Sequence, residues 1–303
     1  MINVRRISHA TFESSDVERQ SAYYTELMGL AVTHKDQGKV IHCGPAGQEV
    51  IAFEKGSSTR CKRISFQIAP DHDLKDIGAS LQRQNIEFDT QSDTTPFVQQ
   101  ALVFSDPKGT EVELFREHSP VSIPPARGGI SPMKLGHIAF SVQSAQTMAD
   151  FYGQNLGFRV SDWIEDKFVF LRCGPDHHTL NFLNGDTTFM HHIAFELKDW
   201  AHLLAACDTL GRANQPIIWG PGRHRVGHNI FVYFRDPDDL VIELYTELDL
   251  MKEEELGAWD PRPWHKTNPQ RPAVWSRADA APVWGMQPSD DFRRNGNDHF
   301  KAK

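Results

Sequence analysis

Leu135-Gly136-His137-Ile138-Ala139-Phe140 and Met190-His191-His192-Ile193-Ala194-Phe195 open in the same way. Two earlier stretches, Ile7-Ser8-His9-Ala10-Thr11-Phe12 and Lys62-Arg63-Ile64-Ser65-Phe66, have the same shape. Each reads as the first strand of a repeated unit, and internal repetition governs how the rest of a chain is parsed. A helix-sized segment follows each: from Ser15-Asp16 to Gly29, from about Asp73 to Gln84, from Ser144 to Gly157, and from near Asp199 to Gly211. Asp and Ser begin helices well because their side-chain oxygens accept the free N–H groups of the first turn. Glycine ends them by tolerating the left-handed backbone.

The units pair first with third and second with fourth. Tyr23-Tyr24, Met28-Gly29-Leu30 and His42-Cys43-Gly44-Pro45 are mirrored by Phe151-Tyr152, Leu156-Gly157-Phe158 and Arg172-Cys173-Gly174-Pro175. The run from Val103 to Phe115, with Asp106-Pro107 in its middle, is mirrored by Tyr233 to Tyr245, with Asp236-Pro237. Asp-Pro between alternating apolar runs marks a hairpin. Each unit therefore reads as a strand, a helix and about three strands, a βαβββ module. The expected organisation is an N-terminal two-module domain over 1–118, a Pro/Gly linker over 119–134, a C-terminal two-module domain over 135–247 and an extension over 248–303. That extension carries four of the seven Trp, at 259, 264, 275 and 284. It is expected to dock them on the body or on a second subunit, with a mobile end from about Asn295.

Composition narrows the partners. The 303 residues are 39% hydrophobic and 24% charged, a globular balance that excludes wholesale disorder. A net charge of −8 without a basic run argues against nucleic acid and anionic membranes. No apolar stretch approaches the roughly 20 residues of a membrane span. The opening Met1-Ile2-Asn3-Val4-Arg5-Arg6 has no apolar signal core, so a cytoplasmic location is expected. Cys43, Cys61, Cys173 and Cys207 lack CxxC spacing and read as free thiols.

Histidine is the compositional outlier, at 15 residues. His137 and His192 hold one place in two units, and Glu243 interrupts the apolar run Leu240-Val241-Ile242-Glu243-Leu244-Tyr245. A carboxylate in such a run is costly unless it is paired or binds a metal. Two imidazoles and one carboxylate form the ligand set of a non-haem Fe(II) site with open positions, and Mn(II) suits it too. The matching places in the first half hold His9, Arg63 and Glu113, where a guanidinium cannot ligate a cation. Arg63 is expected to pair with Glu113 where an ion would otherwise sit.

These motifs, together with Asp176-His177-His178-Thr179 and Gly220-Pro221-Gly222-Arg223-His224, resemble the type I extradiol ring-cleaving dioxygenases of the vicinal oxygen chelate superfamily. The resemblance covers about residues 5–247. It implies an α+β fold of four βαβββ modules in two open β-barrel-like domains, with the metal in the second. It also implies extradiol cleavage of a catechol-type ring by O₂, to a muconic semialdehyde-type product. His137, His192 and Glu243 match the metal ligands. His177 matches the acid–base histidine, while His224 and Tyr233 match groups beside the substrate oxygens. Trp219, Arg223 and His228 are placed at the substrate, and the assembly is expected to be a homo-oligomer, a dimer or tetramer. Two departures stand out. Asp239 occupies a hairpin position that usually holds glycine, so the turn is expected to differ. Trp219 stands where carboxylated catechols meet an arginine, which points to an apolar or hydroxylated substrate. Other readings of the same modules are a glyoxalase-like isomerase, a 4-hydroxyphenylpyruvate-type oxygenase or a non-catalytic binding or resistance protein.

Overall fold

The computed structural model describes residues 2–36, 38–116, 128–253, 255, 258–259 and 270–294. Most of the linker (117–127), Trp264 and the end from Asn295 lie outside the described residues. Four modules follow one another. The first is β1 (Val4–Ser14), α1 (Val17–Glu26), β2 (Ala31–Lys35), β3 (Lys39–Cys43) and β4 (Glu49–Lys55). The second is β5 (Arg60–Ile68), α2 (Leu74–Arg83), β6 (Asp89–Thr95), β7 (Val98–Ser105) and β8 (Glu111–Phe115). The third runs β9 (Lys134–Val142), α3 (Ala145–Leu156), β10 (Arg159–Ile164), β11 (Phe168–Arg172) and β12 (Leu180–Asn184). The fourth runs β13 (Phe189–Glu196), α4 (Trp200–Arg212), β14 (Trp219–Arg223), β15 (Ile230–Arg235) and β16 (Val241–Thr246).

Helix starts follow the capping chemistry. Asp16, Asp73 and Asp199 accept from the backbone N–H of Arg19, Lys75 and His202, and Ser144 Oγ accepts from Thr147 N–H. Helix ends divide. Gly29 and Gly157 take left-handed φ of 69° and 73° as expected. Helix α4, however, runs through Gly211 to Arg212, and Asn214, with φ 53°, makes the left-handed turn instead. Asparagine tolerates that region because its short side chain bonds locally.

Two mixed sheets result. The first has the order β2-β3-β4-β1-β5-β8-β7-β6, and the second contains β10-β11-β12-β9-β13-β16-β15-β14 in the corresponding order. In each module the last strand lies parallel to the first, as β12 does on β9 and β16 on β13. The opening strands thus sit side by side at the centre of each sheet. Equivalent core pairs confirm the repeat: Phe12 lies opposite Phe53, and Phe140 opposite Phe182. All four are buried, at 3% exposure or less.

One compact unit comprises Met1–Gly136 with Asp150–Phe158 and Asp236–Asp239. Within it Tyr152 Oη donates to Asp106 Oδ2 at 2.9 Å and Tyr24 Oη to Asp236 Oδ2 at 3.3 Å. Asp239 reproduces the turn that Gly109 makes in the other hairpin. Both donate their N–H to the Asp carbonyl three residues back, and Asp239 takes φ 67° to do so. The turn therefore keeps its shape.

The second unit holds the remaining described residues. After β16 come β17 (Met251–Glu253), β18 (Ala258–Trp259), β19 (Ala273–Trp275), β20 (Trp284–Gly285) and α5 (Asp290–Arg293). Among the described residues the extension docks through backbone pairing and Phe292, with Trp275 half-buried on β10. β19 pairs with β10, β20 pairs with β14, and Phe292 is fully buried. Trp284 remains 43% exposed and meets Trp200 edge-on at 6.1 Å.

Candidate metal centre

Three adjacent central strands of the second sheet, β9, β13 and β16, carry His137, His192 and Glu243. Parallel register sets Ala194 opposite Glu243, so His192, two residues earlier, shares its face of the sheet. His137 Nε2 lies 3.2 Å from His192 Nε2 and 3.1 Å from Glu243 Oε2, and the third edge, His192 Nε2 to Glu243 Oε2, is 3.2 Å. All three side chains are buried, at 5% exposure or less. Donors at about 2.0–2.2 Å from one ion and at right angles to each other are separated by about 3 Å, so this triangle fits one face of an octahedron. Among the described residues this is the group whose donor atoms are arranged to hold a metal ion.

Protonation matches that role. Burial pushes the Glu243 carboxyl up, but His137 and His192 together outweigh it and hold the group well below the usual carboxylate range. Burial pushes His137 down against the pull of Glu243, and takes His224 down to about 4. At neutral pH Glu243 is therefore a carboxylate and His137 a neutral imidazole, the forms that ligate. Asn229 Nδ2 donates to Glu243 Oε1 at 2.8 Å, which fixes the carboxylate and leaves Oε2 for the ion. His191 Nδ1 lies 2.7 Å from His192 Nδ1 and orients that ring from its far side.

The triangle lines a cavity of the second unit. Of the residues singled out in the sequence, His224, Tyr233 and Trp219 line it. His224 Nε2 lies 3.1 Å from Tyr233 Oη, its ring stacks on Phe231, and Trp219 stacks on Tyr233 with 5.2 Å between centroids. His177, Arg223 and His228 stand behind the wall. His177 Nε2 meets Asp162 Oδ2 at 3.1 Å, and its Nδ1 meets His178 Nδ1 at 2.9 Å. Arg223 donates to His228 O and Glu247, and His228 Nδ1 is held by Asp249.

Of the adjacent pair His177 and His178, the one on the wall is His178, with its ring 4.2 Å from that of His137. Register explains why. Leu180 pairs with Ile138 just as Ile51 pairs with Ala10, so His178 occupies the place of Glu49. Glu49 likewise faces its own strand-one histidine, with Oε2 at 3.2 Å from His9 Nδ1. The same comparison accounts for the first half. Ser65 lies opposite Glu113, Arg63 takes the place of His192, and Arg63 Nη1 meets Glu113 Oε2 at 3.1 Å, as expected. Asn181 and Asn229 had no separate signal in the sequence, and His178 stood there only as the neighbour of His177. Only the mirrored strand pairing could have picked out His178.

Comparison with known proteins agrees with this geometry. The glyoxalase/bleomycin resistance protein/dioxygenase superfamily matches residues 6–114 and 134–244. Metapyrocatechase 2 of Cupriavidus necator is 30% identical over 48% of this chain, a match that spans 52% of that protein. Manganese-dependent 2,3-dihydroxybiphenyl 1,2-dioxygenase of Geobacillus genomosp. 3 is 20% identical over 90% of this chain and 93% of its own length. In fold the chain is similar to a Mn(II)-bound glyoxalase from Novosphingobium aromaticivorans, with TM-score 0.80, 22% identity and coverage of 96% and 94%.

Proposed function

The chain belongs to the glyoxalase/bleomycin resistance protein/dioxygenase superfamily, and from that membership we propose that it is an extradiol dioxygenase, opening a catechol-type ring with O₂ beside its two hydroxyl groups. The observation that carries the reading is the triangle of His137, His192 and Glu243 donors at the foot of an aromatic-walled cavity. The names of its relatives support the same activity. Fe(II) is the ion we assign, with Mn(II) the alternative that one relative's name carries. The catalytic half is 135–247 and the metal-free half 1–118, joined by 119–134 and followed by 248–303.

A divalent Fe or Mn ion bound by the three ligands supplies Lewis acidity toward the diol oxygens and a route for electrons between ring and O₂. The chain supplies the rest. Its single carboxylate, Glu243, leaves the loaded site with net positive charge, which favours an ionised diol. His178, held neutral because burial and the neighbouring imidazoles push its pKa well down, can take a proton from a diol oxygen and return it later. His177, clamped between Asp162 and His178, fixes that ring. His224 and Tyr233 form a second polar pair, with His224 Nε2 3.9 Å from Glu243 Oε1, suited to orienting a substrate oxygen. Phe168, Phe170 and Trp219 wall the ring and exclude water. Arg223 and His228 hold the loop behind this wall.

The proposal includes a cytoplasmic homo-oligomer of two or four copies. Supporting it are four free cysteines, which suit a reducing compartment, and exposed apolar side chains at Leu204, Val274 and Met286. Anaerobic purification and metal analysis, followed by addition of catechol and air, test the activity. Metal-dependent O₂ uptake with a yellow product is expected. Full metal content with no O₂ uptake on any diol would overturn it. Turnover of 4-methylcatechol should exceed that of homoprotocatechuate, because Trp219 offers no guanidinium.

A further inference from the structure

We infer that the segment 276–283 is the wall that gauges the ring substituent, with Ala280 as the specificity-determining position, so that the substrate is a catechol bearing a small apolar group or none. This rests on the extradiol reading. The strands β19 and β20 are the two outermost strands of the second sheet. The chain between them therefore passes from one edge of that sheet to the other.

Both ends are fastened to groups of the site. At one end Glu165 N–H donates to Trp275 O at 2.8 Å, and Ala273 N–H donates to Asp162 Oδ1 at 2.7 Å. The other oxygen of Asp162 is the one that holds His177. At the far end Val283 N–H donates to Arg223 O at 2.8 Å and Trp219 Nε1–H to Met286 O at 2.9 Å. Phe292 then packs on Trp219 and Tyr233, with ring centroids 4.8 and 5.1 Å away. Between the anchors a turn closes through Ala280 N–H to Ser276 O and Ser276 Oγ to Asp279 Oδ2. That turn sets Ala280 in the cavity wall.

The neighbouring part of the wall is apolar. Ile164 pairs with Trp275 on one side and with Phe168 on the other, and Phe168 meets Phe170 with 4.5 Å between rings. No lysine or arginine stands among the described lining residues. An anionic substituent would be desolvated there without a counter-charge, whereas an alkyl group loses nothing. A single methyl at position 280 leaves a space that each added carbon would reduce.

The test uses metal-loaded full-length protein without O₂. Dissociation constants for catechol, 4-methylcatechol and 4-tert-butylcatechol are measured by equilibrium dialysis on wild type, Ala280→Gly and Ala280→Leu. The readout is the ratio of substituted to unsubstituted ligand. Ala280→Leu should raise the 4-methyl ratio about tenfold, and Ala280→Gly should lower the tert-butyl ratio about tenfold. Ratios that stay within about twofold of wild type in both variants overturn the inference while leaving the extradiol reading standing. A wild type that binds none of the three diols overturns the extradiol reading, and the inference falls with it.

Discussion

Arg63 Nη1 lies 3.1 Å from Glu113 Oε2 in the first sheet, at the places that His192 and Glu243 hold in the second. A guanidinium thus stands in one half where an imidazole and a divalent ion would stand in the other. Glu113 is 1% exposed and Arg63 13%, so the pair is largely desolvated. Arg63→Met should destabilise the protein by about 3 kcal/mol, because it leaves the buried Glu113 carboxylate with only the more distant His9, at 3.7 Å. Urea unfolding of that variant beside Arg63→Met/Glu113→Leu is the check. The double variant should recover most of the loss, and metal content should be unchanged in both.

Removing Glu243 should abolish metal binding rather than merely slow the reaction. Glu243→Gln keeps the shape but not the charge, and two neutral imidazoles hold a divalent ion poorly. Asn229→Ala releases only Oε1 of the carboxylate, and should weaken affinity about 10–100-fold. Titration of both apoproteins with Fe(II) and Mn(II), followed by metal analysis after dialysis, orders the two effects.

His178 and His177 are separable by their kinetics. His178→Asn should lower kcat by about 10²–10⁴-fold with metal retained, since the group on the wall is lost. His177→Asn should cost less, because it loosens a ring that still faces the cavity. A larger effect from His177, with full metal content in both variants, would reverse the two assignments.

Acid should unfold the first half partly through His42. Burial takes its pKa down to about 4 from 6.5, so the folded imidazole stays neutral where the unfolded one is protonated. Its contribution is therefore complete above pH 6.5 and is lost as pH falls toward 4. The loss amounts to about 3 kcal/mol for a shift of this size. His42→Gln should flatten the fall in stability between pH 6.5 and 4. Unfolding with chelator present throughout keeps metal release out of the comparison.

The sequence alone carried the modules, their pairing and the candidate triad of His137, His192 and Glu243, because each depends on a local or repeated signal. Aspartates begin helices wherever they fall before an amphipathic run, and His137, His192 and Glu243 stand out because their repeat partners sit at the same points of the same strands. Even Arg63 with Glu113 followed from that comparison. What the tertiary structure alone decided was which of two adjacent histidines faces inward, and what closes the cavity. His177 and His178 lie in the loop before β12, and the pairing of Leu180 with Ile138 is what puts His178 on the wall. Asn229 reaches Glu243 from the loop just before β15, fourteen residues earlier in the chain. The extension reaches the site through backbone hydrogen bonds at both sheet edges, and backbone N–H and C=O groups are the same in every residue. Its tryptophans suggested docking side chains, and Trp275 and Trp284 do meet the body, but main-chain groups and Phe292 join them as anchors, with partners that exist only once the sheet has formed.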